Sequence, residues 1–430
     1  MFLVIVRAIH EMRFLFLYRH LNVLGGLETL IARMSAWLLE HGHEVTLIVE
    51  ASGLEKRLMP KGLQLIEVGT GWDRLCYRSS AAKAWKLLDQ PAPDVIKSFE
   101  AECSWIATIL SAVIGSRPRV MIGDYGPGFV PDRKVRFRNL LYRILVRNVA
   151  DNVPKQSRLF YSREQLEEFR SAYGSSQEGN IWILPVDDRK FLGIKRNPKW
   201  GHLVSIGRLD PMKEYNLHMV DVVDRLVHSG YDVTWTVYGD GSFEVPMRKR
   251  VAERSLEGRI HIKGRLSNER IGEALTDAYA FVGMGTAIIE ASFCRVPGVV
   301  AMAHDISGVT YGPIYNFPPG NVGEFMSEPP NRTIELELAR ILKMTPGGYS
   351  EEMQRVNQYA QHYGQDNQMK QFLEICAKAA PASSSWSILL SYFLFTMARK
   401  TWRVLRRRAF DSLHSARTAE YLAGSRPHLL

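Results

Sequence analysis

The sequence predicts an α/β fold of two Rossmann-like domains, each a doubly wound parallel sheet, facing a central cleft and followed by a C-terminal helical tail. Two observations carry that expectation. A strand, a glycine turn, an amphipathic helix and a second strand follow one another near the N-terminus, and the same kind of succession begins again at residue 202. The length of 430 residues exceeds one ordinary α/β core and fits two.

Phe14 to Tyr18 is a short apolar run leading into Gly25-Gly26. Leu27, Leu30, Ile31, Met34, Trp37 and Leu38 then recur at helical spacing until Gly42, and Val45 to Val49 reads as the next strand. Right-handed crossovers between parallel strands put the glycine turn at the carboxyl edge of the sheet, where open α/β folds bind ligands. In the second half, His202 to Ile206 reads as a strand, Gly207 to Asn216 as a polar loop, and Leu217 to Val227 as a helix stopped by Gly230. Val233 to Tyr238 is the next strand, closed by Gly239-Asp240-Gly241. Further alternation follows: a strand at Arg259 to Lys263, a helix from Asn268 through Leu275, a strand at Ala280 to Val282, a helix from Ala287 and a strand at Val299 to Met302.

These readings divide the chain. Residues 12–193 form the first domain and residues 202–349 the second, joined by a polar, proline-containing linker at 194–201. Residues 350–376 read as one closing helix and residues 377–430 as a basic amphipathic tail. A fresh start at Met12 marks residues 1–11 as a non-native extension. Arg7, His10, Glu11 and Arg13 interrupt the apolar start and no small-residue cleavage site follows, so a signal peptide is not expected.

The composition, 46% hydrophobic with 33 Gly and 20 Pro, excludes a disordered or fibrous class. Four scattered cysteines, Cys76, Cys103, Cys294 and Cys376, form no metal-ligand spacing and no disulfide framework, which points to a reducing, cytoplasmic setting. The net charge is +10, but nine of the cations, against only Asp411 and Glu420, lie from Cys376 onward. The basic balance is a local property of the tail and not a nucleic-acid-binding face.

The loop Gly207-Arg208-Leu209-Asp210-Pro211-Met212-Lys213 lies directly between a strand and a helix. Arg208 and Lys213 at a ligand edge suit one diphosphate, the first through a forked pair of hydrogen bonds, the second as a mobile point charge. Taken alone they read as two solvated surface cations, and only their context overturns that. Gly283, Gly285 and Thr286 then feed a helix containing Glu290. Glycines and free amides at a helix start admit a phosphate, and a carboxylate one turn in reaches ribose hydroxyls. The alternative is that Glu290 offsets the helix dipole and Thr286 caps.

GRLDPMK, TVYGDG, IKGRLS and GMGTAIIEAS with Val296-Pro297, in that order, resemble the carboxyl half of retaining GT-B glycosyltransferases of the large family four, the glycosyl transferases group 1. YRHLNVLGGLETLIARMSAWLLEHGHEVTL is similar to the opening βαβ unit of that family, and LPVDDRKF to the segment closing its first domain. The resemblance covers roughly residues 12 to 376. It implies that Arg208 and Lys213 neutralise the donor diphosphate and that Glu290, the second glutamate of a Glu-x7-Glu motif, holds the ribose. It places Gly25 and Gly26 opposite the phosphates and Arg265 beside the base, with Gly239 also on the nucleotide-binding edge.

Two departures stand out. The first glutamate of the motif falls at Val282, and no histidine occupies residues 97–102 or 123–129, where many relatives carry acceptor-side histidines; Glu100, Glu102 and Asp124 are the available substitutes. No Asp-x-Asp occurs in the chain, so a divalent-metal clamp lacks its usual ligands and neither metal nor cofactor is expected.

The implied activity is transfer of a hexosyl group from a UDP- or GDP-sugar to a glycan or lipid-linked acceptor in cell-surface polysaccharide biosynthesis, lipopolysaccharide or capsule. A nucleotide-sugar epimerase or hydrolase on the same fold, or a non-catalytic membrane-associated binding protein, remains the alternative. Trp386 to Ala398, an apolar run of thirteen residues followed by Arg399-Lys400 and Arg406 to Arg408, is too short to span a bilayer. It suits a helix lying on the anionic inner face of the cell membrane, the alternative being a helix packed on the protein.

Overall fold

The computed structural model describes residues 11–21, 26–53, 59–76, 78–123, 125 and 137–383, with the helical positions Leu390, Leu394 and Met397. Residues 1–10 of the expected N-terminal extension, Gly25, Asp124 and most of the tail lie outside the described residues.

The first half contributes β1 (Arg13–Leu17), α1 (Gly26–Glu40), β2 (Glu44–Val49), β3 (Gln64–Glu67), β4 (Val95–Ser98), α2 (Ala101–Val113), β5 (Arg119–Gly123), β6 (Arg158–Phe160) and β7 (Asn180–Ile181). These strands form one parallel sheet in the order β3-β2-β1-β4-β5-β6-β7. The second half contributes β8 (His202–Ile206), α3 (Tyr215–His228), β9 (Thr234–Tyr238), β10 (Ile260–Ile262), β11 (Ala280–Gly283), α4 (Thr286–Phe293) and β12 (Gly298–Val300). Its sheet, again parallel, runs β10-β9-β8-β11-β12. Strand order thus reverses at the same step in both sheets, between β1 and β4 and between β8 and β11.

Each central strand is buried on both faces, as parallel sheets covered by helices require. Phe14 and Phe16 point into one core cluster while Leu15 and Leu17 point into the other. Leu203 likewise faces one cluster of the second half, and Val204 and Ile206 face its counterpart. Gly42 and Gly230, with φ of +81° and +86°, end α1 and α3 in the left-handed conformation that favours glycine.

The chain passes between the two cores twice. Trp182 packs in a core of the first sheet, whereas Val186 and Phe191 already pack in a core of the second. The change of core therefore falls before the 194–201 segment, which is itself pinned to the second half by hydrogen bonds from Asn197 N to Thr276 O and Lys199 N to Asp277 O, both 2.9 Å.

The single closing helix expected over 350–376 is two helices, α5 (Pro346–Ala360) and α6 (Gln365–Lys378). The break has a physical cause. Val186 N donates to Tyr363 O at 2.8 Å, and Gly364 pairs with Val186 in an extended conformation, so the outgoing crossing interrupts the helical ladder of the returning one. α5 packs on the second core through Tyr349, Val356 and Ala360, and α6 returns to the first through Met369, Phe372 and Cys376. Phe372 lies against Phe14 and Trp182, with ring centroids 6.1 and 5.3 Å away. Among the described residues no helix is long and apolar enough to cross a membrane.

Because Phe372 is fully buried and anchors the returning helix, Phe372→Ala should cost about 3–5 kcal/mol. Urea denaturation followed by tryptophan fluorescence measures it; a loss below about 1 kcal/mol would show that α6 is held elsewhere.

Candidate active site

In a doubly wound sheet the loops diverge where strand order reverses, opening a crevice at the carboxyl edge. In the second sheet the two arms of that crevice are the loop after β8, which carries Gly207 to Lys213, and the turn after β11, which enters α4. The resemblance-derived residues Arg208, Lys213, Gly283, Gly285, Thr286 and Glu290 all lie on these two arms.

The first arm is shaped by glycine. Gly207 has a φ of +152°, its amide donates to Tyr238 O at 2.9 Å, and the Lys213 ammonium lies where a side chain at 207 would stand. Asp210 starts the short 3-10 turn Pro211–Lys213 by accepting from Met212 N at 3.2 Å. Leu209, inside what the sequence presents as a polar loop, is buried and anchors the loop from beneath. Arg208 is exposed and stands 3.3 Å from Asp210. Lys213 differs: burial pushes its pKa down to about 8, Asp210 opposing, Arg208 adding to the shift and Glu290 opposing. Its ammonium has no hydrogen-bond partner among the described residues.

The second arm is the start of α4. Gly285 occupies the N-cap position with a φ of +73°, and its amide is spent on Val322 O at 2.8 Å. Thr286 is the first helical residue and makes no capping bond, so the first-turn amides from Thr286 onward are the donors a phosphate would meet. Glu290, one turn in, is buried and pairs at 2.7 Å with Arg33 of α1 in the first half. Sequence reasoning missed Arg33.

The remaining nucleotide-site candidates stand apart. Gly239 touches the first arm, because a Cβ there would overlap the Gly207 carbonyl; its evident work is to let the loops after β8 and β9 approach. Arg265 is exposed after Gly264, which bridges to Gly239. Gly26 is exposed at the start of α1. Val282 lies in the core of the second half, its carbonyl accepting from Ser205 Oγ at 2.7 Å, so no side chain there stands in for the missing glutamate.

The crevice of the first sheet, between the ends of β1 and β4, has the opposite charge. Arg19, just beyond β1, pairs with Glu50 and, at 2.6 Å, with Glu102, and its amide donates to Glu100 Oε2 at 3.3 Å. Tyr18 OH donates to Glu28 at 2.7 Å. Burial pushes the Glu100 carboxyl above its ordinary range. Two of the three substitutes for the absent histidines, Glu100 and Glu102, thus meet at one residue, Arg19, the first at its backbone amide and the second at its guanidinium. The signal for Arg19 was its place directly after the first strand. Among the described residues no group of His, Cys, Asp or Glu has a metal-holding arrangement.

Two parallel sheets of this order, in a chain that crosses twice between their cores, have the GT-B architecture of glycosyltransferases. The match is more specific in the second half, where residues 188–310 fit the family model of glycosyl transferases group 1. Among solved structures, Anabaena HepE in complex with UDP-glucose is 16% identical with a TM-score of 0.61, 86% of this chain and 100% of that one being covered. A glycosyltransferase from Rickettsia africae is 14% identical with a TM-score of 0.66, over 86% and 98% of the two chains. Sucrose-phosphate synthase from Thermosynechococcus elongatus is 13% identical with a TM-score of 0.63, over 86% and 99%. No curated protein matches the chain.

Arg19 neutralises carboxylates that the fold has already gathered. Arg19→Met should therefore destabilise the chain by about 3 kcal/mol, because largely buried charges lose their partner. Urea unfolding measures this; an unchanged midpoint would show that solvent already compensates Glu50 and Glu102.

Proposed function

We propose that the chain is a retaining, metal-independent glycosyltransferase that moves a hexosyl group from a UDP- or GDP-sugar to a glycan or lipid-linked acceptor in the assembly of cell-surface polysaccharide. The observation that carries this reading is the meeting of Arg208, a Lys213 ammonium with no hydrogen-bond partner among the described residues, the open α4 start and Glu290 at one strand-order reversal. That set suits a nucleoside diphosphate: cations and amides for the phosphates, a carboxylate for the ribose. The HepE complex with UDP-glucose supports a donor of the same chemical kind.

When the bond from the anomeric carbon to the β-phosphate oxygen breaks, its electron pair stays with the diphosphate. The acceptor hydroxyl oxygen bonds to the carbon from the same face and its proton passes to the departing phosphate oxygen. Lys213 and Arg208 act most strongly at that moment, because negative charge on the leaving group is then growing. Glu100 and Glu102 belong to the acceptor side. The core position of Val282 favours keeping the epimerase or hydrolase reading as the alternative, since sugar hydroxyls lose their usual carboxylate. Incubation with donor alone separates the readings: an epimerase or hydrolase changes the sugar without an acceptor, a transferase needs one.

Lys213→Ala and Arg208→Ala should each lower kcat/KM by about 100-fold or more with a UDP- or GDP-sugar and a lipid-linked acceptor. Lys213 also sets a pH dependence. Its folded pKa of about 8 is depressed, so the free protein holds the cation below that pH and loses it above. Nucleoside diphosphate affinity should be level toward pH 7 and weaken as pH rises through about 8, whereas Lys213→Arg should stay level. Calorimetric titrations at pH 6.5 to 9.5 measure this, and an identical decline in both proteins would exclude Lys213 as the titrating group.

The tail belongs to the same proposal as a peripheral contact with the inner face of the membrane. Leu390, Leu394 and Met397 recur at helical spacing and are 60%, 44% and 49% exposed. With the cations beyond them they suit an anionic lipid surface, each basic residue adding about 1 kcal/mol. Co-sedimentation with phosphatidylglycerol vesicles should be strong at low salt, weak with neutral vesicles, and absent for a chain ending at Ser383. Binding by the truncated chain would remove the tail from the account.

A further inference from the structure

Arg33 and Glu290 lie 257 residues apart in sequence and meet at 2.7 Å between α1 of the first half and α4 of the second. Both side chains are nearly closed to solvent, at 10% and 6% exposure. The pair stands beside the double crossing. Arg33 Nη1 reaches Pro185 O at 3.4 Å on the outgoing segment, and its backbone carbonyl accepts from Gln365 Nε2, also at 3.4 Å, on the returning one. Both are long contacts, and Arg33 Nε is buried with no partner. Among the described residues Glu290 is thus the one strong partner of this guanidinium.

The arrangement is one-sided at the carboxylate. Arg33 holds Oε1, while Oε2 has no hydrogen-bond partner among the described residues and is not sealed from solvent. A buried ion pair adds little net stability against the cost of desolvating both charges, so its value lies in fixing position. A carboxylate with one oxygen held presents the other as a directed acceptor, and the vicinal hydroxyls of a ribose are donors of the right kind.

We propose that Arg33 is a positioning residue for ribose recognition: from the first domain it fixes Glu290 so that Oε2 accepts from a hydroxyl of the nucleotide bound by the second. The inference rests on the nucleotide-sugar reading above and deepens it. Ribose recognition then depends on both halves of the molecule, although the contact itself is made by one. Arg33 touches no substrate in this scheme; it acts only through Glu290.

The test is calorimetric titration of UDP and GDP, and of their 2′,3′-dideoxy counterparts, into the full chain, Arg33→Met, Arg33→Lys, Glu290→Gln and the Arg33→Met/Glu290→Gln double variant. The full chain should prefer the ribonucleotide by about 10-fold or more, the effect of a hydrogen bond to a charged group. Arg33→Met should bring that ratio to within about twofold by weakening ribonucleotide binding while leaving the dideoxy form nearly unchanged, and Arg33→Lys should retain part of it. In the Glu290→Gln background Arg33→Met should alter the ratio no further. Equal weakening of both nucleotides by Arg33→Met, or an undiminished ratio, overturns the inference while the nucleotide-binding reading stands. Absence of nucleoside diphosphate binding to the full chain overturns both. Circular dichroism of each variant establishes that it is folded, and Arg33→Lys carries the test should Arg33→Met not fold.

Discussion

The geometry of this molecule depends on where its two parallel sheets reverse their strand order. A right-handed crossover carries the chain to one side of the starting strand, and the next excursion carries it to the other, so the loops after β1 and β4 and those after β8 and β11 part at the sheet edge. A charged cluster stands at each of these two gaps. Arg19, Glu100 and Glu102 meet at the first; Arg208, Lys213 and Glu290 meet at the second. The Arg33–Glu290 pair joins a helix that rises from one gap to a helix that rises from the other.

The double crossing ties the two halves of the molecule together. α6 binds the first core through Phe372 after α5 has bound the second, and the two helices are parted where Tyr363 and Gly364 engage Val186. A continuous helix would keep its carbonyls to itself. Instead the returning segment pairs with the outgoing one, and a buried ion pair between the halves, Arg33 with Glu290, forms immediately beside that pairing.

The second gap was legible in the sequence because its residues are consecutive. GRLDPMK and GMGTAIIEAS each hold a strand end, a turn and a helix start within one loop, so residue type and position carry the whole signal. The partners that complete the site were not legible, because Arg33 and Glu290 are brought together only by the crossing, and Arg33 alone is an ordinary helix residue. The break at residues 361–364 was hidden for the same reason: apolar spacing on either side fits a single helix, and only the pairing with Val186 interrupts it. Gly239 has the composition of a phosphate turn, yet its neighbour is the Gly207 carbonyl. Thr286 reads as a cap, but Gly285 takes that position with its own left-handed backbone. Most of the strands from β3 to β7 are short and lack a clean period, so apolar spacing does not mark them.

The opposite charges of the two gaps bear on the reaction under the proposed reading. The first gap gathers Glu28, Glu50, Glu100 and Glu102 around Tyr18 and Arg19, while the second presents an exposed arginine and a lysine whose ammonium has no partner among the described residues. As a glycosyl bond breaks, positive charge grows on the anomeric carbon and negative charge on the diphosphate. A field running between an acidic and a basic wall stabilises both ends of that separation, more in the transition state than in the bound donor, which is the condition for accelerating the step. The same field disfavours the reverse placement of a nucleotide, with its phosphates among the carboxylates. Charge asymmetry would therefore set the direction in which the donor lies before any contact with the sugar is made.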